Sequence, residues 1–248
     1  MTDQALGIKA AESLLRSCTS GQVRYQQPAP HGVIDDCFDP ASLAAIQKHF
    51  PSLDEMQRTP SRSPAHRTTM PLADGKLGPS GLPDLCHSAA EFWGAFQQKL
   101  DCPDFRSQLT GAISNADPCR GQHSRLWPMF KTLLVRDCDG FKTGPHIDAG
   151  SRIFTILIDL PDHRGFESLG TRLFVPVNPL AQYARDGTSH LFENFLDVKT
   201  IDFVSNRAFV LPRTAEAWHG VPTVQASQGQ RKMILIAGMD KNLMDENQ

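Results

Sequence analysis

The sequence predicts a mainly β protein with flanking helices, built on a jelly-roll core (a double-stranded β-helix of the cupin-like kind), and three observations predict it. Beyond Trp127 the chain reads as short apolar runs of strand length, at 129–136, 145–149, 153–160, 172–176, 198–204, 207–211, 218–224 and 232–238. The segments between them, DCDG, DAGS, PDHRG, SN, PRTAE and QASQGQ, carry the Gly, Asp, Asn, Ser and Pro chemistry of turns. Eight such strands in about 110 residues match the size of a double-sheet jelly roll. The spaces are also too short for the crossover helices of a doubly wound α/β sheet.

The N-terminal elements support this core. Ala5, Ile8, Ala11 and Leu15 fall at helical spacing, so residues 1 to about 20 predict a short amphipathic helix. A short strand follows at Gly32, then a turn at Asp39 and Pro40. A helix next runs through Leu43, Ile46 and Phe50, with Asp39 as N-cap and Pro40 at its first position, and stops before Pro51. Residues 51–83 are rich in Ser, Pro and Arg and sustain no period, which predicts a loop or lid. Residues 88–100 restore helical spacing through Phe92, Phe96 and Leu100, and a polar stretch without a predicted element leads to Trp127. The segment 178–197 is the one long gap between core strands and predicts a helical or looped insert at one mouth of the roll. The reading is one domain over 1–248, with 1–127 as a helical and loop support region and 128–240 as the jelly-roll core.

Charge and composition exclude several classes of function. The chain carries 25 Lys plus Arg against 27 Asp plus Glu, with no basic run, so no nucleic-acid footprint is expected. No stretch reaches the ~18 uncharged apolar residues of a membrane span, and the first residues lack a long apolar segment, so a soluble, cytoplasmic protein without a membrane partner is expected. The six cysteines form no CxxC pair and are expected to be reduced thiols. Oligomeric state is not readable.

The chemistry concentrates at Pro145-His146-Ile147-Asp148. Side chains at i and i+2 of a strand point to the same side, so an imidazole and a carboxylate are presented to one point. Trp218-His219-Gly220-Val221, on the penultimate predicted strand, supplies a third ligand, because strands distant in sequence lie side by side in a jelly roll. Two histidines and one carboxylate form the facial set of non-haem Fe(II) oxygenases. On the last strand Arg231 shares a face with Met233, Leu235 and Ala237, and an arginine on such an apolar face needs an anionic partner or a route to solvent. Its planar fork suits a carboxylate.

HxD, a distal histidine and a final-strand arginine, in this order, resemble the Fe(II)/2-oxoglutarate-dependent dioxygenase superfamily over about residues 128–240. The glycine-containing loop 139–144 before HxD resembles its prolyl-hydroxylase-like branch. The resemblance implies that His146, Asp148 and His219 bind Fe(II), that Arg231 binds the distal carboxylate of 2-oxoglutarate, and that O2 oxidises a substrate with release of succinate and CO2. Thr143 departs from the tyrosine that often stands at that position in the branch. Arg231 is chosen over the adjacent Lys232 because Lys232, Ile234 and Ile236 then share the opposite face.

Other residues have plainer readings. Thr155 is placed on the face of Ile153 and Leu157, where its hydroxyl is a candidate donor to 2-oxoglutarate, against the reading of an ordinary strand residue. Arg152 and Arg213 read as solvated turn charges, Trp218 as core packing beside His219, and Arg58, Arg62 and Arg67 as charges of a solvated loop with a clamp on an acidic substrate as the alternative. Of the remaining histidines only His163 is placed near the site mouth. The function expected is hydroxylation, or a related oxidation, of an unactivated C–H of a small molecule. The alternatives are a protein or peptide side-chain hydroxylase of the same superfamily, a metal-binding cupin that does not use 2-oxoglutarate, and a non-catalytic binding module.

Overall fold

A computed structural model describes residues 1–20, 23–58, 66–72, 85–114, 128–162, 165–225 and 229–240. Along the chain these form α1 (Asp3–Ser20), β1 (Val23–Tyr25), β2 (His31–Ile34), α2 (Pro40–His49), α3 (Leu53–Arg58), β3 (Arg67–Pro71), α4 (His87–Asp101) and α5 (Pro103–Ser114). There follow β4 (Pro128–Asp137), β5 (Thr143–His146), β6 (Arg152–Asp159), β7 (Thr171–Pro176), β8 (Phe195–Ile201), β9 (Arg207–Pro212), β10 (His219–Val221) and β11 (Arg231–Asp240). Two antiparallel sheets result, a larger one ordered β1-β2-β9-β6-β11-β4-β3 and a smaller one ordered β5-β10-β7-β8. This is the expected jelly-roll core with flanking helices.

Alternation along the strands builds two apolar layers. Ile234 and Ile236 of β11, Ile156 and Ile158 of β6 and Val210 of β9 face outward into a core shared with Leu14 of α1, Ile46 of α2, Phe92, Trp93 and Phe96 of α4 and Leu109 of α5. Met233, Leu235 and Ala237 face the other way, into the space between the sheets, with Val135, Phe141 and Val221. β11 is therefore buried on both faces, which is why it reads as a continuous apolar run. The Asp39 side chain accepts from the backbone N–H groups of Ala41 and Ser42, capping α2 as expected. The first helix forms, but its buried positions are Gly7, Ala10, Ala11, Ser13, Leu14 and Cys18, a stripe rotated from the expected one. Small residues set that rotation, because Gly7 lies against the Phe92 backbone of α4.

The structure corrects two expectations on the N-terminal side. Residues 51–83 are not devoid of regular structure: α3 and β3 lie within them, and β3 pairs with β4 at the edge of the larger sheet. Only Met70 of β3 is fully buried, so the strand has no alternation to read. The parts of that segment at 59–65 and 73–83 lie outside the described residues. The polar stretch after Asp101 contains α5, whose Phe105, Leu109 and Ile113 form a single apolar line one turn apart. No helix among the described residues is long and apolar enough to cross a membrane.

Candidate metal centre and its basic pocket

Three elements bring the predicted ligands together. His146 ends β5, Asp148 lies two residues beyond it, and His219 opens β10 directly opposite His146 in the β5–β10 register. The two imidazole rings stand 4.2 Å apart between centroids. His146 Nε2 lies 3.9 Å and His219 Nε2 4.0 Å from Asp148 Oδ1, and the three ligand atoms fall within 4.8 Å of one another. Each ring is oriented from behind. Nδ1–H of His146 donates to the Gly144 carbonyl and Nδ1–H of His219 to the Ala217 carbonyl, both at 3.0 Å, which turns both Nε2 lone pairs toward Asp148.

Protonation states suit a cation. Burial and the neighbouring His219 lower the His146 imidazole to about 4, so it is neutral near pH 7. Burial pushes the Asp148 carboxyl up, but His219, the Arg152 guanidinium and the Thr155 hydrogen bond outweigh it and hold the group at about 2. Two imidazole nitrogens and one carboxylate converging in one pocket fit Fe(II) or a similar divalent ion.

The carboxylate is held more firmly than the sequence suggested. Thr155 Oγ1 donates to Asp148 Oδ2 at 2.7 Å, Arg152 Nη1 to Oδ1 at 2.9 Å, and Arg213 Nε to the Asp148 backbone carbonyl at 2.7 Å. Arg152 and Arg213 are thus not solvated turn charges. A bulge explains Arg152: the β6–β11 register skips Ile153, which packs toward the helices while Arg152 turns onto the inner face beside Thr155. Ile153 therefore does not share the face of Thr155 and Leu157. The Thr155 hydroxyl is committed to Asp148. Trp218 is buried against Ile147, Phe174 and Phe195, in the core role expected of it.

The same pocket contains Arg231, Arg67, Thr171 and Met233. Arg231 is fully buried on the inner face, and its anionic partner belongs to the chain itself: Nη1 donates to Asp137 Oδ2 at 2.7 Å. Arg67 donates to the same carboxylate through Nε at 2.5 Å and Nη2 at 2.9 Å, so it is not a solvated loop charge. The signal lies in the register, since Arg67, Asp137 and Arg231 stand directly opposite one another across β3, β4 and β11. Lys232 points away, to Asp162. The Arg58 side chain, Arg62 and His163 lie outside the described residues.

Solved structures share this fold. A dioxygenase for auxin oxidation from rice aligns at a TM-score of 0.50 with 15% identity, over 94% of this chain and 78% of its own. Alignments at a TM-score of 0.49 include a prolyl hydroxylase from Trichoplax adhaerens in complex with a hypoxia inducible factor peptide fragment, at 11% identity over 95% of this chain and 91% of its own. HygX from Streptomyces hygroscopicus with nickel and 2-oxoglutarate bound aligns at a TM-score of 0.49, at 14% identity over 93% of this chain and 87% of its own. No family model and no curated protein matches the chain.

Proposed function

We propose that this chain is an Fe(II)- and 2-oxoglutarate-dependent dioxygenase that hydroxylates, or otherwise oxidises, a C–H bond of a small molecule. The observation that carries the reading is the convergence of His146, Asp148 and His219 in one pocket with the buried Arg231 and the partly exposed Arg67. Bound Fe(II) would supply the redox step in which O2 decarboxylates 2-oxoglutarate to succinate and CO2 and oxidises the substrate.

The chain's own residues do the positioning. His146 offers Nε2 without losing a proton, His219 directs its Nε2 to the same point, and Asp148 offers Oδ1 as an anion. Thr155 and Arg152 fix the carboxylate so that Asp148 Oδ1 stays turned toward the two imidazole Nε2 atoms. Leu157, Met233 and Leu235 form an apolar wall that limits water around the reacting groups. Arg231 and its neighbours present positive charge to the distal carboxylate of the co-substrate.

A small substrate is favoured by how the roll's edge is closed. β5 is an outer strand of its sheet, yet Gly187 N–H donates to the Ile147 carbonyl and His190 N–H to the Pro145 carbonyl, so the segment 178–194 occupies the edge that an extended peptide would pair with. The test is succinate formation by Fe(II)-loaded protein across pools of small molecules and peptides. Small-molecule-dependent succinate release supports the reading. Turnover confined to peptides overturns its substrate part, and no 2-oxoglutarate consumption with any pool overturns it altogether.

A further inference from the structure

The buried cluster at Asp137 has more positive charge than it needs. Arg67 and Arg231 share one carboxylate, both sides of Asp137 and Arg231 are closed to solvent, and only Arg67 retains some exposure, at 20% of its side chain. Asp159 is buried nearby, and burial pushes its carboxyl up against the pull of Arg231 and Arg207. A surplus cation in such a place is costly unless an anion joins it.

The unspent donors indicate where that anion sits. Arg231 directs Nη1 to Asp137 and Nη2 to Thr171 Oγ1 at 3.3 Å, which leaves its fully buried Nε without a partner among the described residues. Arg67 spends Nε and Nη2 on Asp137, and its Nη1 has no hydrogen bond among the described residues. Both side chains line the pocket of the triad. Rings hold both guanidinium groups: Arg67 lies 4.2 Å over Phe141 and Arg231 5.5 Å over Phe203.

We propose that Arg67, delivered by the edge strand β3, is a second carboxylate-binding residue, so that Arg67 and Arg231 together grip the distal carboxylate of the 2-oxoacid while Asp137 holds the two guanidinium groups at a fixed spacing. The proposal rests on the 2-oxoglutarate reading of the site. It makes the chain selective for dicarboxylic 2-oxoacids, and it assigns β3 a role in the site beyond closing the sheet.

The test compares 2-oxoglutarate with 2-oxopentanoate, which has the same chain length but lacks the distal carboxylate. Binding of each acid to Mn(II)-loaded protein is measured by calorimetry for the wild type, Arg67→Gln and Arg67→Lys, with circular dichroism as the folding control. Arg67→Gln should weaken 2-oxoglutarate by about 10- to 100-fold and 2-oxopentanoate by less than about threefold, and Arg67→Lys should recover part of the difference. If Arg67→Gln does not fold, a loss of preference of at least about threefold in Arg67→Lys decides in favour. A wild-type preference for 2-oxoglutarate that survives in a folded Arg67 variant overturns this proposal alone. Wild-type protein that binds metal but treats the two acids alike overturns the carboxylate pocket as a whole, and Arg67 with it.

Discussion

Asp148, the proposed carboxylate ligand, illustrates how much of a side chain's behaviour is set by the groups behind it. Its Oδ2 is held by Thr155 and its Oδ1 by Arg152, while Oδ1 also faces both imidazole Nε2 atoms. Replacing Thr155 by Val keeps the branched shape and removes the donor to Oδ2, so Arg152 alone holds the carboxylate. Fe(II) or Mn(II) affinity should fall by about 10- to 100-fold, measured by equilibrium dialysis, with little change in circular dichroism. Removing a ligand outright costs more: His146→Ala, Asp148→Ala and His219→Ala should each weaken metal binding by at least ~100-fold. Metal affinity unchanged in Thr155→Val shows that the carboxylate is fixed by Arg152 alone. The ligand types were legible because HxD and WHG place chemistry at fixed strand offsets. Arg152 was not, since its direction depends on a bulge at Ile153 that leaves no mark on an apolar run. Asp137 was not either, because its meaning arises only when three strands align.

At the level of elements, close approach decides which glycines matter. A Cβ on Gly220 would lie 2.6 Å from the Thr143 carbonyl oxygen, where β10 crosses β5, and would force apart the two strands that hold the histidines. Gly220→Ala should therefore lower thermal stability by about 1–3 kcal/mol and lose metal binding with it. Gly94 in α4 meets nothing within 4 Å, so Gly94→Ala should raise stability by about 0.4–1 kcal/mol and leave metal binding alone. Thermal melts with and without Mn(II) check both. The cap of α2 gives a pH-dependent counterpart. Burial pushes the Asp39 carboxyl up, but hydrogen bonds from Ser42 and Ala41 outweigh it, so the folded-state value lies below the unfolded one. Its contribution is present above the unfolded-state value and is lost as pH falls through the folded one. Asp39→Ala should cost about 1 kcal/mol near neutral pH and progressively less in acid. This cap was readable from Asp-Pro ahead of an apolar period. α5 was not, because its line of Phe105, Leu109 and Ile113 is embedded in polar residues, and β3 was not, because an edge strand with one buried residue carries no pattern.

For the whole molecule, the helices and the smaller sheet sit on opposite faces of the larger sheet, so the site opens between the sheets and is backed by a doubly buried β11. β6, β9 and β11 were legible because each carries a continuous apolar run, whereas β5 and β8 lie at Thr143–His146 and Phe195–Ile201, offset from the expected 145–149 and 198–204, because their burial follows no alternation. Their order was legible only as a class, since pairing partners distant in sequence are chosen by packing between layers. The segment 178–194 is tied by Gly187 to Ile147 and by His190 to Pro145, on either side of His146, and by the Arg185 carbonyl to Arg213. Substrate closure should therefore protect it from limited proteolysis in the presence of metal and a non-reactive 2-oxoglutarate analogue. Unchanged cleavage with a confirmed substrate removes the lid role. In the proposed function three side chains hold an iron whose neighbouring pocket accepts 2-oxoglutarate. The most direct measurement is anaerobic calorimetric titration of Fe(II), then 2-oxoglutarate, into metal-free protein. One Fe(II) per chain, metal-dependent 2-oxoglutarate binding, and loss of both in His219→Ala are predicted. Absence of Fe(II) binding in the wild type, or undiminished binding in His219→Ala, contradicts the account.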